Sequence, residues 1–279
     1  MQDNSFESKW RTIRFEGDRN RDNTRESVLY IEPGEIPRTQ RQLSLYNYYL
    51  YFRTVLLAHG AKDVLETGCG RGTLALYFAA YDKMRVSLLD SSKDAIEIAR
   101  LEYGKRNIEA VFHVGDSLVT KFPAESYDAV VTWGLAEHFE PAQVPAFFAE
   151  QLRLLRPGGV LISGNIPKKP SIQMLNVWMR GIKKLFGRYQ GSPSADYFRN
   201  SLKPRDYIEA ARSAGFSDIT TINVAPFPLF TPISMANDRR ITGFYRAILR
   251  VRGVFQTYPF KTNYFASQAH ILVGYKRAR

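Results

Sequence analysis

The segment 63–77, DVLETGCGRGTLALY, restricts what this chain can fold into more than any other. A short apolar run, Val64-Leu65, ends at the acid Glu66, and a run of helix formers opens at the hydroxyl of Thr73. Between them Gly68, Gly70 and Gly72 let the backbone reverse sharply, bring bare N–H groups up to a ligand and pack the new helix against a sheet. A strand feeding a helix through such a turn predicts a nucleotide-binding unit. The spacing is GxGxG, not the GxGxxG of a pyrophosphate site, and an acid precedes it, which points to a ligand without phosphates.

The alternation of strand and helix then repeats. Arg85–Asp90 reads as a strand ending in an acid, Ser91-Ser92 as a cap, and Lys93–Tyr103 as a helix. Asp90 lies 18 residues past Gly72, where a carboxylate at the tip of a second parallel strand can accept both hydroxyls of a ribose. A third strand over Ala110–Val114 ends at Gly115-Asp116-Ser117, and a fourth, Tyr127–Thr132, opens into Trp133-Gly134-Leu135-Ala136-Glu137-His138-Phe139. The pattern continues as a helix over Pro141–Arg156, a stop at Arg156-Pro157-Gly158-Gly159 and a strand over Val160–Ser163. A helix over Arg38–His59 precedes these units; a helix over Pro204–Gly215 and strands over Asp218–Ala225 and His270–Tyr275 follow them. The expected fold class is α/β, a doubly wound, mostly parallel seven-stranded sheet with ligands at the carboxyl ends of its strands.

With these motifs in order, residues 62–166 resemble the class I S-adenosylmethionine (SAM)-dependent methyltransferases, and the tract LLRPGGVLI resembles the third motif of their small-molecule branch. The resemblance implies a Rossmann-like methyltransferase fold with helical caps, SAM as cofactor, and cofactor contacts from Glu66, Gly68, Cys69, Gly70, Asp90, Ser91, Asp116, Ser117 and Trp133. In that family the acid at the place of Asp116 reaches the adenine amino group. The catalytic pair it implies is His138 with Glu137: His138 follows the fourth strand beside the expected methyl, although in the family this His often only braces the loop. A base is needed only where the acceptor is protonated at neutral pH, as an alcohol or phenol is. Glu137 also resembles the Glu that cyclopropane fatty-acid synthases use around bicarbonate, but Arg71 stands where those enzymes usually carry Trp. His113 and His270, inside apolar strand patterns, read as core histidines, and Cys69 as a small loop residue and not a nucleophile.

A chain of 279 residues with one cysteine can bury one sizeable core and form no internal disulfide, and no Cys/His cluster has metal-ligand spacing. The expected organisation is a partly loose arm over 1–37 and one methyltransferase domain over 38–279, with cap insertions at 167–203 and 226–266. The N-terminal stretch lacks the apolar centre of a signal peptide and no apolar run is long enough to span a bilayer, so a cytoplasmic protein is expected. The net charge of +12 is segregated: residues 60–166 carry 11 Lys+Arg against 14 Asp+Glu, whereas 168–205 carry 9 against 1 and 239–279 carry 9 against none. That asymmetry points to an anionic partner. A small or lipid-linked anionic acceptor is expected, with the basic amphipathic stretch 172–188 as a lid or as a contact with an anionic membrane. Nucleic acid is less favoured, because the fourth strand ends in Trp-Gly-Leu-Ala and not in an Asn/Asp-Pro-Pro-aromatic tract. A SAM-binding protein without turnover is the alternative from another class.

Overall fold

A computed structural model describes residues 10, 30–168, 182, 198–224, 240, 242–244, 247, 263–265, 267 and 269–279. Seven strands, β1 (Asp63–Thr67), β2 (Arg85–Asp90), β3 (Val111–Val114), β4 (Tyr127–Trp133), β5 (Leu155–Asn165), β6 (Ser217–Val224) and β7 (Ala269–Tyr275), form one sheet. Their order is β3-β2-β1-β4-β5-β7-β6, with β7 antiparallel to both of its neighbours and the other pairings parallel. The chain steps outward from β1 to β3 and then returns to place β4 on the other side of β1. This reversal leaves a crevice beyond the carboxyl ends of β1 and β4.

Helices α1 (Gln40–His59), α2 (Thr73–Asp82) and α3 (Lys93–Gly104) cover one face, and α4 (Val144–Leu154) and α5 (Pro204–Ala214) the other. Burial on both faces explains the adjacent apolar residues at the centres of β1 and β4: Val64 and Val131 join the core under α1–α3, while Leu65 and Val130 join the core under α4 and α5. Local chemistry fixes the helix ends. Thr39 and Gln42 form a reciprocal capping box for α1, Gly60 closes that helix at φ +74°, and the Ser92 hydroxyl accepts from Ala95 N at the start of α3.

Three boundaries differ from the sequence expectation by more than a residue or two. The expected helix over 141–156 is α4 preceded by a single 3₁₀ turn at Pro141–Gln143. Strand β5 starts at Leu155, not at Val160, because Arg156–Gly159 bulge within the ladder as pairing moves from Tyr127/Leu155 to Ala129/Val160, and Gly158 at φ +80° accommodates the bulge. The end of the expected arm belongs to the core. Tyr30 and Ile31 are buried, the Ile31 amide donates to the Tyr77 hydroxyl at 2.9 Å, and Gln42 Nε2 donates to Tyr30 O. The expected helical stretch 172–188 and most of both cap insertions lie outside the described residues.

Candidate active site

The glycine turn has the geometry its residue types demand. Gly68, Gly70 and Gly72 have φ of +65°, +53° and +67°, the left-handed region that an L side chain rarely adopts. Space is as restrictive as conformation: a Cβ at Gly72 would lie 2.1 Å from the Leu88 methyl, and one at Gly68 would lie 2.8 Å from Leu135. Leu135 belongs to the segment after β4, so the close approach at Gly68 presses that segment directly onto the turn.

Two acids hold the turn. Glu66 at the end of β1 is buried, and its Oε2 accepts from Ala75 N at 2.9 Å in the first turn of α2. Burial pushes its carboxyl up to about 8, with a smaller upward contribution from the charge of Asp90; the Ala75 amide opposes both. Asp90, at the tip of β2, uses one oxygen to accept from Gly70 N at 2.8 Å and the other to accept from Ser92 N at 2.9 Å. An ionised carboxylate has about four lone-pair sites, so these backbone bonds orient Asp90 and still allow it to accept from ligand hydroxyls.

The other expected cofactor residues are distributed around this pair. Cys69 is buried, its amide donates to Leu89 O at 3.1 Å, and burial raises its thiol well above the usual range, which keeps it an inert loop residue. Ser91 is exposed at the tip of β2. Asp116 is exposed two residues beyond β3, and its Oδ1 accepts from Leu118 N at 2.8 Å in a local turn, with no helix there to cap. Ser117 is buried and its carbonyl accepts from Gln151 Nε2. Gln151, fully buried on α4, also meets the Thr67 hydroxyl at 3.2 Å, so one side chain ties the end of β1 to the loop after β3. Trp133 stacks on Tyr48 of α1 at 3.8 Å between centroids and lies against Gly164, where a Cβ would approach its ring to 2.0 Å.

The candidate catalytic pair occupies a 3₁₀ turn, Ala136–His138, immediately after β4. Glu137 is 1% exposed, its Oε2 has no hydrogen-bond partner among the described residues, and burial pushes its carboxyl up to about 7 against the opposing backbone amides and Arg199. His138 is half-buried, and its Nδ1 lies 2.7 Å from Phe198 O. A carbonyl can only accept, so Nδ1 carries a proton, and in a neutral ring the lone pair is then at Nε2. His270 is fully buried, as expected for a core histidine, with Asn165 Nδ2 3.4 Å from its Nε2 and the Tyr207 ring packed on it. His113 is only partly buried, edge-on to Phe122 on the outermost strand, because β3 has one neighbour and not two. Among the described residues no cluster of three or more His, Cys, Asp or Glu side chains is arranged to hold a metal ion, and no helix is long and apolar enough to cross a membrane.

Sequence reasoning missed the residues that reach this site from a distance. Trp10 lies against the glycine turn, within 2.8 Å of where a Gly70 Cβ would be. Asn200 and Tyr207 brace the 3₁₀ turn. No spacing in the sequence marks any of them.

Strand order, the reversal beside β1 and the acid-flanked glycine turn define a Rossmann-like nucleotide-binding domain of the methyltransferase type. A family model described as a methyltransferase domain matches residues 64–159. A probable S-adenosylmethionine-dependent methyltransferase of Mycolicibacterium smegmatis is 35% identical over 193 residues, covering 67% of this chain and 66% of its own length. The fatty-acid O-methyltransferase of the same species is 33% identical over 133 residues, 47% of each chain, so this chain spans about half the length of that relative. A SAM-dependent methyltransferase structure from Archaeoglobus fulgidus superimposes with a TM-score of 0.54 at 14% identity, over 84% of this chain and 95% of the other. The chain belongs to the class I SAM-dependent methyltransferase family, whose cofactor is SAM.

Proposed function

We propose that the protein transfers a methyl group from SAM to an oxygen or nitrogen of a small or lipid-linked, anionic acceptor. The observation that carries this reading is the close approach of Leu135 to Gly68, which sets the turn bearing His138 beside the acid-flanked glycine turn. The donor set suits SAM: Asp90 is oriented to accept ribose hydroxyls, and the GxGxG spacing of the turn is not that of a pyrophosphate site. When bound, SAM supplies a methyl already activated on a sulfonium. The protein then has to align the acceptor, exclude water and, for an alcohol or phenol, remove a proton. Alignment of this kind contributes about 7–11 kcal/mol at best. His138 takes the acceptor proton at Nε2 while Phe198 O holds the Nδ1 proton and stabilises the imidazolium. Glu66, Gly68, Cys69, Gly70, Ser91, Asp116, Ser117 and Trp133 complete the proposed cofactor contacts, and Glu137, buried in the same turn as His138, completes the proposed catalytic pair.

The names of relatives support the acceptor class. They include a fatty-acid O-methyltransferase, a ubiquinone biosynthesis O-methyltransferase and a phthiotriol/phenolphthiotriol dimycocerosates methyltransferase. The anionic character rests on the segregated charge of residues 168–205 and 239–279. Labelled SAM, offered with caffeate, a long-chain fatty acid, a lipid extract and RNA, tests the reading, with Lys183, Lys184 and Arg188 replaced together by Gln as the comparison. Methylation of caffeate or a lipid, with an acceptor KM raised in the triple variant and SAM affinity unchanged, is expected. Methylation of RNA alone, with a steep salt dependence, would overturn it.

A further inference from the structure

We infer that Asn200 is a positioning residue that holds His138 in its proton-accepting orientation; the inference rests on the reading of His138 as the base. Within the 3₁₀ turn at Ala136–His138 the Ala136 carbonyl accepts a long bond from Phe139 N at 3.4 Å, and the turn is too short to supply donors for the carbonyls that follow. Asn200 supplies the missing donors. Its amide N–H donates to Glu137 O at 2.7 Å, and its side-chain Nδ2 donates to Ala136 O at 3.1 Å and to Phe139 O at 3.0 Å. The acceptor atoms of Asn200 are engaged as well: Oδ1 accepts from the Tyr207 hydroxyl at 2.9 Å and from Leu202 N at 3.2 Å, and its carbonyl accepts from Lys168 N at 2.9 Å. Every polar atom of this buried residue therefore has a partner, and three of those bonds end on the turn that carries His138.

The consequence falls on the imidazole. Phe198, whose carbonyl fixes the Nδ1 proton, lies two residues before Asn200 in the same extended segment. Asn200 thus fixes both halves of the contact, the turn that carries the ring and the strand of chain that carries its carbonyl partner. Tyr207 anchors Asn200 in turn from α5, where its buried ring packs against His270 at 4.8 Å. Buried amide networks of this kind specify one geometry when every member is satisfied, and loss of one member frees the whole set. Without the latch the carbonyl drifts from Nδ1, and the ring returns to the mixture dominated by the Nε2–H form, which has no lone pair to offer at Nε2.

The test uses the full chain saturated with S-adenosylhomocysteine and histidine-selective nitrogen NMR, alongside methyl transfer from labelled SAM to caffeate. In the parent His138 is expected as the Nδ1–H tautomer. In Asn200→Ala it is expected to shift toward Nε2–H, with kcat lower by about 10–10²-fold, the order of loss for a misplacement of about 1 Å, and SAM affinity unchanged. Asn200→Asp keeps the bonds from Tyr207 and Leu202 and the backbone bond to Glu137 O but loses the side-chain donors to Ala136 O and Phe139 O, so it is expected to behave like the alanine variant. If Asn200→Ala does not fold, Tyr207→Phe removes a single hydroxyl, and a smaller tautomer shift in the same direction is expected. An unchanged tautomer in the variants that fold overturns the positioning role. Full turnover in His138→Ala overturns the base reading instead, whatever the Asn200 variants do, so the two failures are distinguishable.

Discussion

Replacing Glu66 by Gln should change how stability depends on pH, and the size of the effect follows from its surroundings. The side chain is 3% exposed, and this burial, with a smaller contribution from the charge of Asp90, lifts its carboxyl from the ordinary 4.5 to about 8 against the opposing hydrogen bond from the Ala75 amide. Between those values the folded state holds a proton that the unfolded chain has released, so stability falls as pH rises through that window. Below the window both states are protonated and there is no penalty; above it both are ionised and the penalty is complete. At about 1.4 kcal/mol per pH unit the full penalty is of order 5 kcal/mol, and roughly 3 kcal/mol of it is present at neutral pH. Gln keeps a carbonyl oxygen for Ala75 N and does not titrate. Urea unfolding followed by circular dichroism between about pH 5 and about pH 9 should therefore show the variant gaining on the parent as pH rises, by several kcal/mol at the alkaline end. Parallel curves would refute the reasoning. They would mean that the Ala75 amide and the α2 N-terminus outweigh desolvation, so that the carboxylate is ionised in the fold across this pH range.

Asp90→Ala removes hydrogen bonds to a charged group and should weaken SAM by about 1.5–3 kcal/mol in calorimetry; unchanged affinity would remove Asp90 from the site. His138→Ala should leave SAM affinity intact while lowering turnover on a phenolic acceptor by about 10²–10⁴-fold, and normal turnover there would make the residue structural. Gly72→Ala places a methyl 2.1 Å from Leu88 at φ +67°, so a loss of about 2–4 kcal/mol is expected in denaturant, from left-handed strain and overpacking together. A loss below about 0.5 kcal/mol, the scale of an ordinary surface change, would show that the turn can relax.

Much of this protein is written locally in its sequence, and the structure indicates which parts are not. The order of strands and helices, the glycine turn and the acids at the ends of β1 and β2 were legible, because each depends on a short period, a cap or a positive φ set by nearby residues. The bulge that lets β5 start at Leu155 was not, since Pro157-Gly158-Gly159 reads as a stop unless β4 lies alongside to pair across it. Nor was the position of β7 between β5 and β6, where pairing partners are up to about 115 residues apart in sequence, as Val160 and Tyr275 are. Ile31 becomes core only because Tyr77 and Tyr81 hold its backbone from α2. Asn200 is the clearest case at the site itself. As a sequence element it is one polar residue after a basic stretch; it gains a role because folding brings three carbonyls and the Tyr207 hydroxyl within hydrogen-bond distance of it. The sequence by itself determined the scaffold and the cofactor half of the candidate site, where the signals are backbone geometry and periodicity. The tertiary structure alone decided how His138 is held, because a hydrogen bond between residues some 60 positions apart has no local pattern to announce it.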